Sequence, residues 1–365
     1  MAILQRLNAP EISRSARGVV SARLSPEYRE VVDDTVALLH QAKARLQHLQ
    51  RVDTPAPLSA HQIQGFTHDL WADWRSVWSD AAQCLSEIAA EGEHLRAAKN
   101  YTESQLTAEL LAAPLWRQAY TKPLGYPGDF QVMEYIYQGN ALGDTPFAQV
   151  AHALGVHIGE FVVRRKDLVR RAIAEVAAQR RGSGATVIAN LGAGPAQEIV
   201  ELMQQDECGP NPLTFILVDQ DSGAMRCAGH KLSMANAARR QVTPVKIELR
   251  HLSVLRLLRQ VDPTEFLTQP DMIYSAGLFD YFSDRTCRVL AHRLYDALRP
   301  GGVLLLCNMK AGTDMIWPLE MIADWSLNYR TSDSVLSWAD GLPGAEISLR
   351  TEATGYDYLL SVRKR

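Results

Sequence analysis

The sequence predicts an α/β protein in which a mostly parallel β-sheet, covered by helices on both faces, follows an amino-terminal helical region. From residue 186 onward, short apolar runs of strand length alternate with segments of helical periodicity, which is typical of a parallel sheet. The last two runs are separated only by residues 352–355, and so short a connection requires an antiparallel hairpin. We therefore predict five parallel strands followed by a terminal antiparallel pair.

The same pattern predicts the individual elements of the sheet region. The predicted strands are residues 186–191, 214–219, 245–252, 272–276, 303–307, 347–351 and 356–362. The predicted helices between them are residues 195–205, 222–238, 253–260 and 284–298. We find neither an internal repeat nor a low-complexity tract in the chain.

The region before the sheet has helical periodicity. The predicted helices here are residues 26–51, 59–98 and 145–181, and residues 1–25 are expected to form a loose arm. Trp71, Trp74 and Trp78 lie on one face of the second helix, which favours a helix–helix or dimer contact over ligand stacking.

The pattern changes at a short polar stretch, residues 180–185. We predict a helical domain at residues 1–183, which caps the ligand site and provides a dimer contact, and a sheet domain at residues 184–365. The helical domain includes residues 121–129, where two prolines and two glycines impose a bent, specific loop.

Composition excludes several classes of protein. The 365-residue chain is 47% hydrophobic with a net charge of −3, so a strongly basic nucleic-acid binder is not expected. No apolar run is long enough to span a membrane, and the first residues lack the apolar core of a secretory signal. The five cysteines are scattered and form no CxxC pair. We therefore expect a cytoplasmic protein without disulfides or a structural zinc site.

The strongest functional signal is a glycine turn directly after the first predicted strand. Gly192, Ala193 and Gly194 let the chain turn sharply and approach a ligand, and Pro195 is predicted to start the next helix. Such a turn usually binds a nucleotide-like cofactor. Asp219 ends the second strand, where a carboxylate can accept both ribose hydroxyls; the alternative is a helix cap.

Residue 197 decides between cofactors at such a turn. A dinucleotide fingerprint has a third glycine or alanine there, whereas this chain has Gln197. A bulky residue disfavours the close helix–strand packing that a pyrophosphate site needs. S-adenosylmethionine has no phosphates and does not need that anion site. An NAD(P)-dependent oxidoreductase remains the alternative, although the chain has no evident Tyr-x-x-x-Lys pair.

The order of motifs along the sheet region resembles the class I S-adenosylmethionine-dependent methyltransferases. The motifs are Gly192-Ala-Gly194, the strand-ending Asp219, Leu252-Ser-Val254, Tyr274-Ser-Ala-Gly-Leu-Phe-Asp-Tyr281 and Leu298-Arg-Pro-Gly-Gly302. The resemblance implies the Rossmann-like sheet of that family, with its terminal antiparallel hairpin.

The resemblance also implies cofactor contacts, residue by residue. The implied contacts are Gly192, Ala193, Gly194 and Pro195 under the methionyl part, Asp219 on the ribose, Gln220 and Asp221 beside the adenosine, Ser253 and Val254 at the adenine, and Ser275, Ala276 and Gly277 facing the sulfonium. Tyr126, in the stiff loop at residues 121–129, is expected to cover the cofactor.

A narrower resemblance concerns bacterial enzymes of 3-hydroxypalmitic acid methyl ester biosynthesis, which methylate a fatty-acid carboxylate. It is carried by Lys122-Pro-Leu-Gly-Tyr-Pro-Gly-Asp129, by Tyr274–Tyr281 with Ser283-Asp-Arg285, and by Ala323-Asp-Trp-Ser-Leu-Asn-Tyr-Arg330. It implies an oxygen acceptor, first of all a carboxylate; the alternative is the nitrogen of a specialised metabolite. Residues 310–318 depart from the pattern, so the acceptor could differ.

Acceptor chemistry suggests three catalytic candidates. A carboxylate is ionised near pH 7 and needs a clamp, for which Arg330 is the candidate; the alternative is a salt-bridged arginine. Tyr281 and Tyr126 are predicted to line the pocket. An acceptor with a proton would need a base, and His152 or His157 could serve, although ordinary histidines of a helix are favoured. We predict no metal, a small-molecule acceptor, no nucleic acid and no membrane insertion.

Overall fold

The computed structural model describes residues 24–365, except residues 53–56, 89–91, 180–183, 241–242, 254–255, 257–266 and 268. The chain divides into two compact units. The helical unit comprises Met1–Glu160 and Gly312–Ser326, and the sheet unit comprises Phe161–Ala311 and Leu327–Arg365. Within the described residues, no helix is both long and apolar enough to cross a membrane.

The sheet unit contains seven strands in the order β3-β2-β1-β4-β5-β7-β6. The strands are β1 Thr186–Leu191, β2 Leu213–Asp219, β3 Val245–His251, β4 Met272–Ser275, β5 Val303–Met309, β6 Ala345–Thr351 and β7 Asp357–Lys364. The first five pair in parallel, and β7 pairs antiparallel with both β5 and β6. The predicted fold class, a parallel sheet with a terminal antiparallel hairpin, is confirmed.

Burial explains why the central strands are continuously apolar. Every residue of β5 is buried, as is required of a strand with helices on both faces, whereas no residue of the edge strands β3 and β6 is buried. The helices of this unit are α7 Glu160–Gln179, α8 Gln197–Gln204, α9 Ser222–Ala238, α10 Asp284–Ala297 and α11 Ser332–Leu336. The predicted helix at 253–260 lies almost wholly outside the described residues.

The helical unit has more breaks than the sequence predicts. Its helices are α1 Pro26–Val52, α2 Ala60–Ile88, α3 Gly92–Leu110, α4 Pro114–Thr121, α5 Phe130–Gln138 and α6 Pro146–Ile158, with a π-helix at Trp317–Ile322. The predicted helix 59–98 is therefore two helices, α2 and α3. The predicted helix 145–181 is also two, because it breaks at Gly159, where a Cβ atom would lie 2.6 Å from Ile136.

The first division between the two compact units falls between residues 160 and 161, and not at the predicted domain boundary at residue 183. Helix α7 groups with the sheet because Val169, Ile173 and Ala177 are buried in the same apolar core as β1 and β2. Residues 312–326, although they follow β5, group with the helices. A polar stretch in the sequence thus does not coincide with the end of a packing unit.

Tryptophans fill the interior of the helical unit. Trp74 and Trp78 are buried. The ring of Trp74 packs 5.9 Å from that of Trp317, and the indole of Trp78 donates to the Asp314 carbonyl at 2.5 Å. The interpretation of the Trp71, Trp74 and Trp78 stripe as a helix–helix contact is thereby supported, and its role in a dimer stays a prediction.

The proline- and glycine-rich loop at 121–129 packs on the segment that follows β5. Asp324 accepts hydrogen bonds from Lys99 and Lys122, and the ring of Trp325 covers Gly128. Asp129 then caps α5 by accepting from two backbone amides of its first turn. Two segments that are 200 residues apart in sequence are joined in this way, and Trp325 serves there as packing.

Replacement of Gly128 with alanine is expected to lower the free energy of unfolding by about 2–4 kcal/mol, through overpacking and a left-handed backbone. Gly128 has φ of +63°, and its Cβ would lie 2.1 Å from Trp325 Cζ2. Urea denaturation measures the loss. The matched control is Gly139→Ala, with φ of +66° and nothing within 4 Å of the added carbon. Equal losses in the two variants would contradict the packing contribution.

Candidate functional site

The carboxyl end of β1 runs directly into the predicted glycine turn. The amides of Gly192 and Ala193 donate to the Val218 carbonyl at 2.9 and 3.2 Å, so the turn is anchored to β2. Gly192 has φ of +70°, and a Cβ there would lie 3.2 Å from Leu278. A side chain at position 192 would therefore be both strained and crowded.

The helix after this turn begins later than predicted. Residues 193–196 make a second turn, closed by a 3.0 Å hydrogen bond from the Ala196 amide. Gly194 and Ala196 are both left-handed, with φ of +51° each, and α8 starts at Gln197. Pro195 therefore lies in the turn and not at the first helical position. Its preference for that position is outweighed by the left-handed residues on either side, which keep the chain out of the helix.

Asp219 connects the end of β2 to the glycine turn. One carboxylate oxygen accepts from the Gly194 amide at 2.8 Å, and the other accepts from the Asp221 amide at 2.9 Å. Burial raises the pKa of Asp219, and these backbone hydrogen bonds oppose that shift. The helix cap is instead Asp221, whose side chain accepts from the amides of Gly223 and Ala224. The cap alternative for Asp219 is therefore wrong, and its ribose contact stays a prediction.

The predicted adenosine side lies at the ends of β2 and β3. The Gln220 carbonyl is 2.8 Å from Nε2 of His251, so the two strand ends are joined there. Ser253 follows β3 directly, as predicted. Val254 lies outside the described residues. The structure thus brings Gln220 and Ser253 to the same edge as Asp219, but it tests no contact with adenine.

The end of β4 adjoins the same turn. Ser275 is fully buried, and its hydroxyl donates to the Leu191 carbonyl at 2.9 Å. Its side chain thus ties β4 to the end of β1, and the expected contact of this residue with the sulfonium stays a prediction. Ala276 and Gly277 follow, and a Cβ on Gly277 would lie 3.3 Å from Nη2 of Arg165.

A buried polar group beneath the glycine turn was missed by the sequence analysis. Oε1 of Glu198 accepts from the Tyr274 hydroxyl at 2.6 Å and from the Asn190 amide at 3.0 Å. Burial raises the pKa of Glu198, and the Tyr274 hydrogen bond lowers it. The group joins the first turn of α8 to β1 and β4. Its signal in the sequence was a carboxylate on the apolar face of a predicted helix.

A second missed group lies at the carboxyl ends of β4 and β5. Nη1 of Arg165 is 2.5 Å from Oδ2 of Asp357 and 3.9 Å from Oδ2 of Asp280. Oδ1 of Asp280 accepts from the Met309 amide at 2.7 Å. All three side chains are buried. No sequence signal joins them, because they come from α7, from the turn after β4 and from β7.

One arginine faces two carboxylates in this cluster. Burial raises the pKa of Asp280 to about 7, the charge of Asp357 acts in the same direction, and Arg165 opposes both. Burial likewise raises the pKa of Asp357 to about 6, and Arg165 again opposes the shift. The cluster therefore holds a proton near neutral pH.

Asp280→Asn is expected to flatten the pH dependence of stability. The folded-state pKa of Asp280 lies above the ordinary value of 3.8, so the folded state binds an extra proton between pH 4 and pH 7. Its stabilising contribution is full below pH 4 and is lost as the pH rises to 7. Urea denaturation from pH 4 to pH 8 should show a smaller decline in the variant than in the wild type. Parallel curves would contradict the assignment.

Arg330 is committed to the interior of the sheet unit. Nε donates to Asp284 at 2.7 Å, and Nη1 donates to Oδ1 of Asn308 at 2.6 Å. The Phe279 carbonyl also accepts from Nη1, and the Phe282 carbonyl accepts from Nη2. The side chain is only 4% exposed. The prediction of an acceptor clamp is therefore corrected in favour of the salt-bridged alternative, because the planar fork is already used.

Three further candidates are Tyr281, Tyr126 and His152. Tyr281 is half-buried in a 3₁₀ turn, Phe279–Tyr281, beside Asp280. Tyr126 belongs to the helical unit, so its place over a cofactor stays a prediction. Nδ1 of His152 accepts from the backbone amide of Leu115, and burial lowers the pKa of His152 to about 4. His152 is thus a poor base, as expected of a packed histidine.

Among the residues that the structure describes, no group of three or more His, Cys, Asp or Glu side chains could hold a metal ion. Asp271 precedes β4 and accepts from the Val187 amide and from Arg299. Its carboxylate lies at the amino ends of the parallel strands, whereas the glycine turn lies at their carboxyl ends.

No protein-family model and no curated protein matches the chain. Solved structures of similar fold include a possible exported protein of Bordetella parapertussis, with 15% identity, 94% of this chain and 99% of that chain covered, and a TM-score of 0.49. A CurJ carbon methyltransferase has 13% identity, 92% and 91% coverage, and a TM-score of 0.46. Magnesium protoporphyrin IX methyltransferase of Synechocystis PCC 6803 with bound SAH has 12% identity, 68% and 98% coverage, and a TM-score of 0.43. Likenesses this distant do not bear on the activity or ligand of this chain.

Proposed function

We propose that the protein is an S-adenosylmethionine-dependent methyltransferase that acts on a small molecule. The observation that carries the proposal is the hydrogen bond between Asp219 at the end of β2 and the Gly194 amide in the turn after β1. Ligands of open α/β sheets bind at this edge, outside the carboxyl ends of the strands. The strand order and the antiparallel β7 support the resemblance to class I methyltransferases.

The residues at this edge suit the cofactor. Gly192 and Gly194 leave room for the methionyl part, and Asp219 retains carboxylate lone pairs for the ribose hydroxyls. Bound S-adenosylmethionine supplies a methyl group on a cationic sulfur. The protein then has to align the acceptor and exclude water. An NAD(P)-dependent oxidoreductase is disfavoured by Gln197, as it was from the sequence.

The second part of the proposal concerns the chemical class of the acceptor. The resemblance to methyl ester biosynthesis suggested a carboxylate, with a nitrogen acceptor as the alternative. Arg330 was the candidate clamp for that carboxylate, and its donors are used inside the protein. We therefore propose oxygen or nitrogen methylation of a small molecule, without preference for a carboxylate.

Calorimetry with S-adenosylhomocysteine (SAH), S-adenosylmethionine and NAD tests the cofactor. Binding of the first two without NAD supports the proposal, and binding of NAD alone would overturn it. Transfer of labelled methyl groups into a desalted lysate of the source organism tests the acceptor. Label in the solvent-extractable fraction is expected, and label confined to protein or nucleic acid would contradict a small-molecule acceptor.

A further inference from the structure

We propose that Asp280, held between Arg165 and Asp357, accepts the proton of the acceptor during methyl transfer, so that the acceptor reacts through an O–H or N–H group. This inference rests on the proposed function and specifies its acceptor. It replaces the carboxylate that the sequence suggested with a nucleophile that must lose a proton.

Position is the first argument. Asp280 comes three residues after Gly277, in the turn that follows β4, and its Oδ1 is fixed by the Met309 amide at the end of β5. The carboxyl ends of both strands form the edge at which the glycine turn lies. Asp280 is thus attached to the rigid sheet near the predicted methyl group, as a proton acceptor has to be.

Hydrogen bonding is the second argument. Nη1 of Arg165 lies 3.9 Å from Oδ2 of Asp280, which is beyond hydrogen-bond distance. Oδ1 of Asp357, fully buried, has no partner in the described part of the chain. Buried carboxylate oxygens normally accept hydrogen bonds, so oxygens of this kind are expected to receive a proton or a donor.

Charge is the third argument. Several charged or titratable groups act on this pair of carboxylates: Arg165 of α7, Arg330 before α11, Cys307 of β5, and Glu352 in the β6–β7 turn. Arg165 makes the only ion pairs recorded with the two carboxylates among the described residues. Burial and the second carboxylate bring the pKa of Asp280 to about 7, which suits a base that works near neutral pH.

The reaction balances with no further reagent. The lone pair of the acceptor oxygen or nitrogen forms a bond to the methyl carbon, and the methyl–sulfur bond breaks with its electron pair left on sulfur. The acceptor proton moves to Oδ2 of Asp280, directly or through one water. The sulfonium and the carboxylate are thereby both neutralised.

Three variants test the assignment by methyl transfer from labelled S-adenosylmethionine into the solvent-extractable lysate fraction. Asp280→Asn keeps the oxygen that accepts from Met309, and its initial rate should fall about 100-fold or more, the usual contribution of a base. Its affinity for SAH should change less than about threefold. Asp357→Asn removes the neighbouring negative charge and should move the rising limb of the pH–rate profile to lower pH. The matched control is Asp271→Asn, a buried, arginine-paired carboxylate at the other end of β4, which should leave the rate and the limb unchanged.

The chemical nature of the product gives an independent readout. Label that resists mild alkali, as in an ether or a methylamine, supports the proposal. Release of labelled methanol would identify a methyl ester and overturn it, as would an Asp280→Asn rate within threefold of wild type or an unmoved limb in Asp357→Asn. A wild-type protein that does not bind SAH would instead contradict the proposed function. Failure of this inference can therefore be distinguished from failure of the proposed function.

Discussion

Asp219→Ala is expected to abolish measurable binding of SAH and S-adenosylmethionine while leaving a folded protein. The carboxylate is assigned two ribose hydroxyls, and hydrogen bonds to a charged group contribute about 1.5–3 kcal/mol each, so the affinity should fall about 100-fold or more. The alanine also removes the acceptor of the Gly194 amide, which holds the glycine turn. Loss of the ribose contacts and loss of the hydrogen bond to the glycine turn both lower the affinity for SAH.

Calorimetry with SAH measures the effect, and urea denaturation verifies the fold. Asp219→Asn separates the two contributions, because it keeps one oxygen as an acceptor and loses the charge; an intermediate affinity is expected. Asp271→Ala is the control, a buried carboxylate at the opposite edge of the sheet, whose loss should affect stability but not SAH binding. An alanine variant at 219 that binds as tightly as wild type would refute the ribose assignment.

Arg330→Met is expected to lower the free energy of unfolding by about 3–5 kcal/mol, because several buried oxygens lose their donor at a cost of about 1–3 kcal/mol each. The guanidinium donates hydrogen bonds to Asn308 of β5 and to Asp284 at the start of α10. It also donates to two backbone carbonyls of the turn that precedes α10. Methionine fills a similar volume but leaves these acceptors without donors. Arg330→Lys should rescue little, because an ammonium cannot reproduce the planar fork.

Urea denaturation measures this loss, and Arg350→Met is the control. Arg350 is exposed on the edge strand β6, so its replacement should change stability by no more than about 0.5 kcal/mol. An Arg330→Met protein with normal stability but much weaker binding of the acceptor would instead support the acceptor clamp that the sequence suggested.

Elements whose pattern is local were predicted well. The runs that became β1, β4 and β5 begin at the predicted residues, because a strand buried on both faces has to be apolar throughout. Helix breaks were predicted poorly. Helix α6 ends before Gly159, which packs closely on Ile136, and a contact between distant residues leaves no local pattern.

The candidate site divides in the same way. The glycine turn and Asp219 could be read from the sequence, since the turn requires glycine conformations and the acidic residue ends an apolar strand. The role of Arg330 could not, because the sequence specifies a side chain's chemistry but not whether its donors are already used. The pairing of Arg165 with Asp357 joins residues 192 positions apart.

The sequence by itself determined the fold class, the sequence positions of the strands and the turn proposed to bind the cofactor. These depend on hydrophobic periodicity and on backbone conformations that few residues tolerate, and both are local properties. Only the tertiary structure decided which charged groups are satisfied internally and which keep an oxygen without a donor. That outcome depends on burial and on partners brought together by folding, which change both the hydrogen bonding and the pKa of a carboxylate such as Asp280.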